Sequence, residues 1–132
     1  MNRRRIFALT ALVFTLPAAA WASGGEKKQA GGESYLPVRT ILGMTVRRAN
    51  AHGVLSVDCG LDVPDAVLRR RADLLLPRLR DAYVQTVQAY AAGLPAGALP
   101  NADYLASALQ RQTNAILGKP GARLLLGGIV VN

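Results

Sequence analysis

The side chains between residues 52 and 62 that could support chemistry are the imidazole of His52, the thiol of Cys59 and the carboxylates of Asp58 and Asp62. The sequence of 132 residues contains one histidine and one cysteine. A lone cysteine excludes an intramolecular disulfide, and a lone histidine excludes a histidine-rich metal site. His52 stands in a polar segment beside Gly53, where we expect a solvent-exposed turn residue. No motif places a nucleophile near it.

Cys59, Asp58 and Asp62 belong to a stretch in which apolar and polar residues alternate. The alternation predicts a strand with Cys59 on its inward face and both aspartates on its outward face. A buried thiol is inert, because reactive cysteines need exposure and a nearby positive charge. The aspartates would be about 13 Å apart along a strand, too far for a retaining carboxylate pair and beyond the usual inverting range. We therefore predict no enzyme, no cofactor and no metal site; a small hydrolase is the least favoured alternative.

Two alternating runs, residues 36–46 and 54–63, predict the strands of an antiparallel hairpin joined by a turn at 48–53. In the first run the pattern places Ile41 on the outward face and five other residues inward: Val38, Thr40, Leu42, Met44 and Val46. In the second run the predicted inward residues are Leu55, Val57, Cys59, Leu61 and Val63.

Three helices are predicted after Pro64. Asp65 can cap the first, residues 66–76, and Pro77 fits the first turn of the second, which ends near Ala92. Asn101 or Asp103 can cap the third, residues 104–117. The second helix has an apolar stripe of Leu79, Tyr83, Val87 and Tyr90, and the third has one of Leu105, Leu109, Gln112 and Ile116.

Residues 123–131 predict a buried closing strand, in which Gly127-Gly128 indicates a bulge or close backbone packing. The element order is then β-β-α-α-α-β. Because strands and helices are segregated, the predicted class is α+β, with the helices packed on one face of a small antiparallel or mixed sheet.

Residues 1–22 have the features of a signal peptide. Arg4, Arg5 and Phe7 fit the twin-arginine pattern, and Ala20 and Ala22 fit the small-x-small rule for cleavage. We expect export to a bacterial periplasm by the twin-arginine or the general secretory route. The alternative is an uncleaved segment that anchors the chain in the inner membrane, facing the periplasm. Residues 23–34 are glycine-rich and polar and predict a flexible linker to a single domain at 35–132.

Positive charge is concentrated in one stretch of the predicted domain. Removing residues 1–22 takes away three arginines and lowers the formal net charge from +8 to +5. The remaining basic cluster is Arg69, Arg70, Arg71, Arg78 and Arg80. It is either a solvated helix face or an electrostatic contact for an acidic partner or an anionic membrane surface. We predict no nucleic-acid partner, because we expect the protein to be exported and no aromatic residues are interleaved with these arginines.

The segments Tyr35-Leu36-Pro37, residues 77–82 and residues 109–117, with the hairpin and the terminal strand, resemble the C-terminal periplasmic domain of FliL, the flagellar basal-body-associated protein. The similarity covers residues 35–131. It implies a stomatin-like domain that assembles into rings and supports the flagellar stator units, without catalysis. Two features depart from the family: the leader looks cleavable, and Gly127-Gly128 stands where bulkier residues are usual.

These observations favour a non-enzymatic exported assembly or adaptor protein that binds a membrane-protein complex or itself, and that acts at the bacterial flagellum if the resemblance holds. The alternative is a periplasmic small-ligand or lipid-binding module that uses the apolar face of the sheet.

Overall fold

The computed structural model describes residues 32–48 and 51–132. Its elements are β1 (Tyr35–Val46), β2 (His52–Asp62), α1 (Ala66–Leu74), α2 (Leu76–Gly93), α3 (Ala102–Leu117) and β3 (Arg123–Val131). The predicted order and the α+β class are confirmed. The predicted leader and most of the linker lie outside the described residues, and with them the leader positions Arg4, Arg5, Phe7, Ala20 and Ala22.

The three strands form one antiparallel sheet with β2 in the centre, between β1 and β3. The alternation of β2 is confirmed, since Leu55, Val57, Cys59 and Leu61 are buried. They contribute to one hydrophobic core with Leu79, Tyr83 and Val87 of α2 and Leu105 and Leu109 of α3. All three helices contribute buried residues to this core, so the predicted coverage of one face is also confirmed.

The predicted faces of β1 are wrong beyond Val38. The pairing with β2 shifts between Val38 and Ile41, which indicates a β-bulge. One extra residue exchanges the two faces of everything that follows it. Ile41 is therefore fully buried, whereas three residues predicted to point inward are about half exposed: Leu42 at 54%, Met44 at 57% and Val46 at 51%.

Gly43 explains why this register is preferred. A Cβ atom at Gly43 would lie 2.8 Å from the Cβ of Ala91 and 3.0 Å from the carbonyl oxygen of Val87. Helix α2 thus lies directly against the β1 backbone at this point. A leucine or methionine side chain turned inward there would have no room, so the bulge places the glycine beneath the helix.

The helix boundaries follow the predicted caps. The Asp65 carboxylate accepts a hydrogen bond from the backbone of Val67 at 3.1 Å and begins α1. Pro77 lies in the first turn of α2, as predicted. The Asn101 side chain accepts from the backbone of Tyr104 at 3.1 Å and begins α3, two residues before the predicted start.

The predicted stripe of α3 is wrong at Gln112, which is exposed, while its neighbour Thr113 is fully buried. Thr113 is tolerated in the core because its hydroxyl donates to the carbonyl oxygen of Leu109 at 2.8 Å. The same hydroxyl oxygen is hydrogen-bonded to the Tyr83 hydroxyl of α2. The periodicity predicted that Gln112 faces the core, but the residue that does so is Thr113. Its hydroxyl group is tolerated there because it is hydrogen-bonded.

Gln110 joins α3 to β3. Its amide nitrogen donates to the carbonyl oxygen of Ala122 at 2.8 Å, and its amide oxygen accepts from the backbone of Leu124 at 2.8 Å. One side chain thereby satisfies a donor and an acceptor of the backbone entering the closing strand. No apolar pattern in the sequence indicates this contact.

The prediction that β3 is a buried strand is wrong, because the sheet is covered on one face only and β3 is an edge strand. Leu124 is buried, but Leu125 is 36% exposed and Val130 is 51% exposed. The predicted bulge is confirmed: Val57 pairs with Ile129 and Cys59 with Leu126, so Gly127 and Gly128 together stand opposite Asp58.

Candidate interaction surfaces

The candidate catalytic groups do not converge. His52 begins β2, is exposed and pairs with Val46 of β1. Cys59 points into the core and is 5% exposed, while the neighbouring Asp58 points to the opposite face. Burial, and secondarily the charge of Asp58, raises the pKa of Cys59 to about 11. The predicted burial of Cys59 is confirmed, and the raised pKa supports the prediction that the thiol is unreactive.

Tyr83 is the second buried group with a displaced pKa. Burial raises its pKa to about 12. Because the Thr113 hydroxyl donates to Leu109, the Tyr83 hydroxyl donates to Thr113. Both side chains are 0% exposed, so the pair is part of the core and out of reach of a substrate.

The carboxylates of β2 lie on the outer face of the sheet, as predicted. Asp58 is exposed and accepts a hydrogen bond from the Thr40 hydroxyl of β1 at 2.5 Å. Asp62 is half-buried at the other end of the strand. Within the described ranges, no three His, Cys, Asp or Glu side chains are grouped so that they could hold a metal ion.

The five arginines of the predicted basic cluster lie at one end of the domain, which we call the α1 end and define as α1 with the first turn and a half of α2. Arg69 has a structural contact, since its guanidinium group donates a hydrogen bond to the carbonyl oxygen of Val63 at 3.1 Å. The other four are exposed: Arg70, Arg71, Arg78 and Arg80. Arg80 also lines a groove of about 410 Å³ together with Arg39 of β1.

Carboxylates accompany these arginines. Asp65, Asp73 and Asp81 belong to the same helices, and Asp65 forms an ion pair with Lys119 at 3.7 Å. The arginines also differ in their relation to the helix dipoles. Arg71 lies in the last turn of α1, where a cation is favourable, whereas Arg78 lies in the first turn of α2, where a cation is unfavourable and where no acidic residue shares the turn.

The outer face of the sheet carries an apolar surface that none of the three described helices covers. Leu42 pairs with Ser56 of β2, which in turn pairs with Val130 of β3. Met44 pairs with Val54 of β2. The exposed fractions of the five apolar side chains at these positions and at Val46 lie between 39% and 57%. We call the five apolar residues the open-face patch: Leu42, Met44, Val46, Val54 and Val130. The sequence pattern placed the three β1 members inside the core, so the surface was not predicted.

A cleft of about 660 Å³ lies at the end of the sheet where β1 turns into β2, between the hairpin and the loop that joins α2 to α3. Its walls include Arg47 and Arg48 from the hairpin, Leu99 from the loop and Val131 from β3. Leu99 is 90% exposed. We call this region the hairpin end: residues 46–48 and 51–53, the loop 94–100 and the end of β3.

The strands are held tightly together at the hairpin end. A Cβ atom at Gly53 would lie 2.4 Å from the carbonyl oxygen of Asn132 and 2.6 Å from the hydroxyl oxygen of Thr45. The backbones of Val54 and Asn132 also exchange hydrogen bonds of 3.2 and 3.0 Å. The three strands therefore form a fixed platform beneath the exposed side chains of this end.

Neither the models of known protein families nor the curated proteins give a match to this chain. Within the part of the chain that the structure describes, no helix is both long enough and apolar enough to cross a membrane.

Proposed function

We propose that this chain is a non-enzymatic, exported assembly or adaptor protein that binds a membrane-protein complex or further copies of itself. The observation that carries the proposal is the open-face patch. Soluble monomers rarely leave contiguous large apolar surfaces uncovered, and such surfaces are typical of sites for interaction with other molecules. Here the exposed apolar side chains come from all three strands, and Ser56 lies between Leu42 and Val130.

The free edge of β3 supports the same proposal. From Leu124 to Val131 this strand contains no charged residue and no proline. Charges and prolines are two means by which edge strands avoid pairing with other chains; a bulge is a third, and β3 has one at Gly127-Gly128. An extended segment of a partner can therefore add to β3 through backbone hydrogen bonds, next to the open-face patch.

The resemblance to FliL indicates the cellular structure at which we expect the protein to act. A FliL-like domain would support the flagellar stator units and assemble into rings in the periplasm. The open-face patch and the β3 edge are the surfaces through which we expect such assembly. The exposed arginines of the α1 end remain a second proposed contact, one that would act mainly through electrostatic attraction to an acidic partner.

Deletion of the gene tests the biological role. We expect slower or absent swimming with intact filaments, restored by a plasmid copy of the wild-type chain. Normal swimming in the deletion strain would refute the motor role. A purified protein that stays monomeric at high concentration and captures no envelope protein would refute the assembly role as well.

Charge reversal tests the contribution of the α1 end. Arg70→Glu/Arg71→Glu should leave the melting temperature almost unchanged, because exposed ion pairs are typically worth under about 1 kcal/mol. If these arginines dock an acidic partner, the variant recovers less partner from solubilised envelope, and wild-type recovery falls with added salt. Equal recovery that is insensitive to salt would assign the cluster to a solvated helix face.

The cleft at the hairpin end favours a second candidate, a module that binds a small amphiphilic ligand. Its volume of about 660 Å³ is within the range of small-molecule sites, about 300–1,000 Å³. Apolar walls and two guanidinium groups suit a ligand with an alkyl chain and an anionic head. A lysophospholipid with an anionic head should then raise the melting temperature, whereas a neutral alkyl glycoside should not. An equal response to both would exclude this candidate.

A further inference from the structure

Within the described sheet, β3 pairs with β2 alone, so one side of its backbone is free. Val54 of β2 and Asn132 exchange both of their backbone hydrogen bonds. Because alternate residues of a strand point their backbone groups to the same side, Val130 and Leu125 also point theirs to β2. The residues of β3 whose backbone groups point to the free side are Leu124, Leu126, Ile129 and Val131.

The β3 bulge makes these free backbone groups symmetric. It adds one residue between Leu126 and Ile129. Without that residue, positions 126 and 129 would point to opposite sides of the strand. With it, the four free positions lie at equal distances on either side of the midpoint between Gly127 and Gly128.

The side chains of β3 have the same centre of symmetry. From residue 124 to residue 131 the strand consists of three aliphatic residues, two glycines and three aliphatic residues. An antiparallel copy centred between the glycines places Leu125 opposite Val130 on the open face and Leu126 opposite Ile129 on the helix-covered face. A two-fold interface requires such self-complementarity. The segment is uncharged, so the pairing brings no like charges together.

Apolar area is available on both faces along this edge. Leu125, Val130 and Val131 are exposed. Leu126 and Ile129 pack against the core but are only partly buried. A second β3 strand would cover these side chains, and removal of apolar area from water favours association.

We propose that two copies of this chain pair through β3, antiparallel about a two-fold axis between Gly127 and Gly128. The three strands of each copy then form one continuous sheet of six. The proposal rests on the assembly function proposed above, and it names the partner as a second copy and the surface as the β3 edge. The opposite edge strand, β1, carries Pro37 and Arg39, which protect an edge against pairing.

The position of the bulge removes the usual obstacle that a bulge presents to pairing. The backbone bonds between the copies join Leu124 to Val131 and Leu126 to Ile129. The bulge lies on the two-fold axis between these pairs, where an antiparallel ladder has no backbone hydrogen bond. Both bulge residues are glycines, so no side chain separates the strands. The two open-face patches lie on the same face of the joined sheet.

Disulfide trapping tests this register. Leu125→Cys and Val130→Cys are made as separate single variants of the full chain, one with an affinity tag. The proposed register places residue 125 opposite residue 130 of the second copy in a pair without backbone hydrogen bonds, with Cα atoms about 4.5 Å apart. A disulfide spans roughly 4.4–6.8 Å, so a mixture of the variants should form a cross-linked dimer under mild oxidation.

Each single variant is the control for the mixture. Residue 125 lies about 13 Å along the ladder from residue 125 of the second copy, so Leu125→Cys alone should stay uncross-linked, and likewise Val130→Cys alone. The wild type measures the background from Cys59, which is buried.

A matched pair of lysine substitutions separates the β3 edge from the open face. Val131→Lys places a charge opposite the buried Leu124 of the second copy, so it should raise the dissociation constant of the dimer about tenfold or more. Val46→Lys places the same charge on the open face of β1, where the side chain is 51% exposed, and should leave that constant unchanged. Sedimentation equilibrium measures both.

Three results would overturn the proposal. The first is a mixture that cross-links no better than the single variants. The second is a dimer that both lysines weaken equally, which would place the contact on the open face and leave the assembly function intact. The third is a chain that stays monomeric yet captures envelope proteins, which would leave the β3 edge to a segment of another protein. Only a monomer that captures nothing refutes the assembly function as well.

Discussion

The two faces of the sheet differ in burial, although the same three strands form both. On the helix-covered face, Ile41, Leu55, Val57 and Leu61 are fully buried against α2 and α3. On the open face, Leu42, Met44 and Val130 are more than half exposed. Apolar residues therefore do not by themselves identify the core of this domain. The position of the β1 bulge decides which set is core and which is available to a partner.

Truncating adjacent residues of β1 is the strongest test of this difference. Ile41→Ala should destabilise the fold by about 2–5 kcal/mol, because it removes buried methyl groups and leaves a cavity. Leu42→Ala should change the free energy of unfolding by less than about 0.5 kcal/mol, because the site is on the surface. Urea unfolding of both variants measures the difference. The reverse order of effects would mean that β1 lacks the bulge.

Alkaline pH should destabilise the helix-covered face. Folding raises the pKa of Cys59 from 9.0 to about 11 and that of Tyr83 from 10.0 to about 12. Between each pair of values the folded chain keeps a proton that the unfolded chain releases, so stability falls as pH rises. We expect full stability below pH 9 and a decline from pH 9 to 12.

Cys59→Ala separates the two contributions to this decline. The variant should lose the part between pH 9 and 11 and keep the part that belongs to Tyr83. The stability curve is measured by denaturant unfolding at a series of pH values. A flat curve up to pH 12 in the wild type would contradict the burial of both groups, as would rapid labelling of native Cys59 by thiol reagents at neutral pH.

Gln110→Leu should cost about 1–3 kcal/mol, because it leaves the buried-side backbone groups of Ala122 and Leu124 without their partner. The matched variant is Gln112→Leu, two residues along the same helix on an exposed position. It should stay within about 0.5 kcal/mol of the wild type. Similar losses in both variants would show that the amide contacts of Gln110 do not hold β3 against the helix layer.

The smallest expected effect is at the α1 end. Arg78→Gln removes a cation from the positive end of the α2 dipole, so it should stabilise the domain by about 0.3–1 kcal/mol at low salt. Arg71→Gln, at the end of α1, should destabilise it by a similar amount. Thermal unfolding at low and high ionic strength measures both. Effects of the same sign, or effects that salt does not reduce, would contradict the dipole explanation.

The sequence was sufficient for the order of elements, for the Asp65 cap and for the faces of β2, whereas it left Asn101 and Asp103 as alternatives for the cap of α3. These features depend on local chemistry: the alternation around Cys59, the carboxylate of Asp65 and the ring of Pro77. It also indicated a bulge or close backbone packing at Gly127-Gly128, and the structure shows the bulge.

The faces of β1 could not be predicted, because both of its alternating sets contain apolar residues. Only the contact of Gly43 with Ala91, residues that are distant in sequence, selects one register. Thr113 was missed for the same reason, since its partner Tyr83 belongs to another helix. Neither the composition nor the hydrophobic periodicity of the sequence predicted the open-face patch. One signal was present: Ile41 broke the alternation of its strand.

The most direct test of the account compares two matched pairs of surface substitutions. Leu42→Ser/Val130→Ser changes the open-face patch, and Val67→Ser/Leu74→Ser changes apolar residues of α1 that are even more exposed. Both proteins should keep the melting temperature of the wild type to within a few degrees. Recovery of envelope partners or of a second tagged copy should fall for the open-face pair and be unchanged for the α1 pair. Undiminished recovery by a folded open-face variant, or an equal loss in both, would contradict the claim that the open face is where this protein binds its partners.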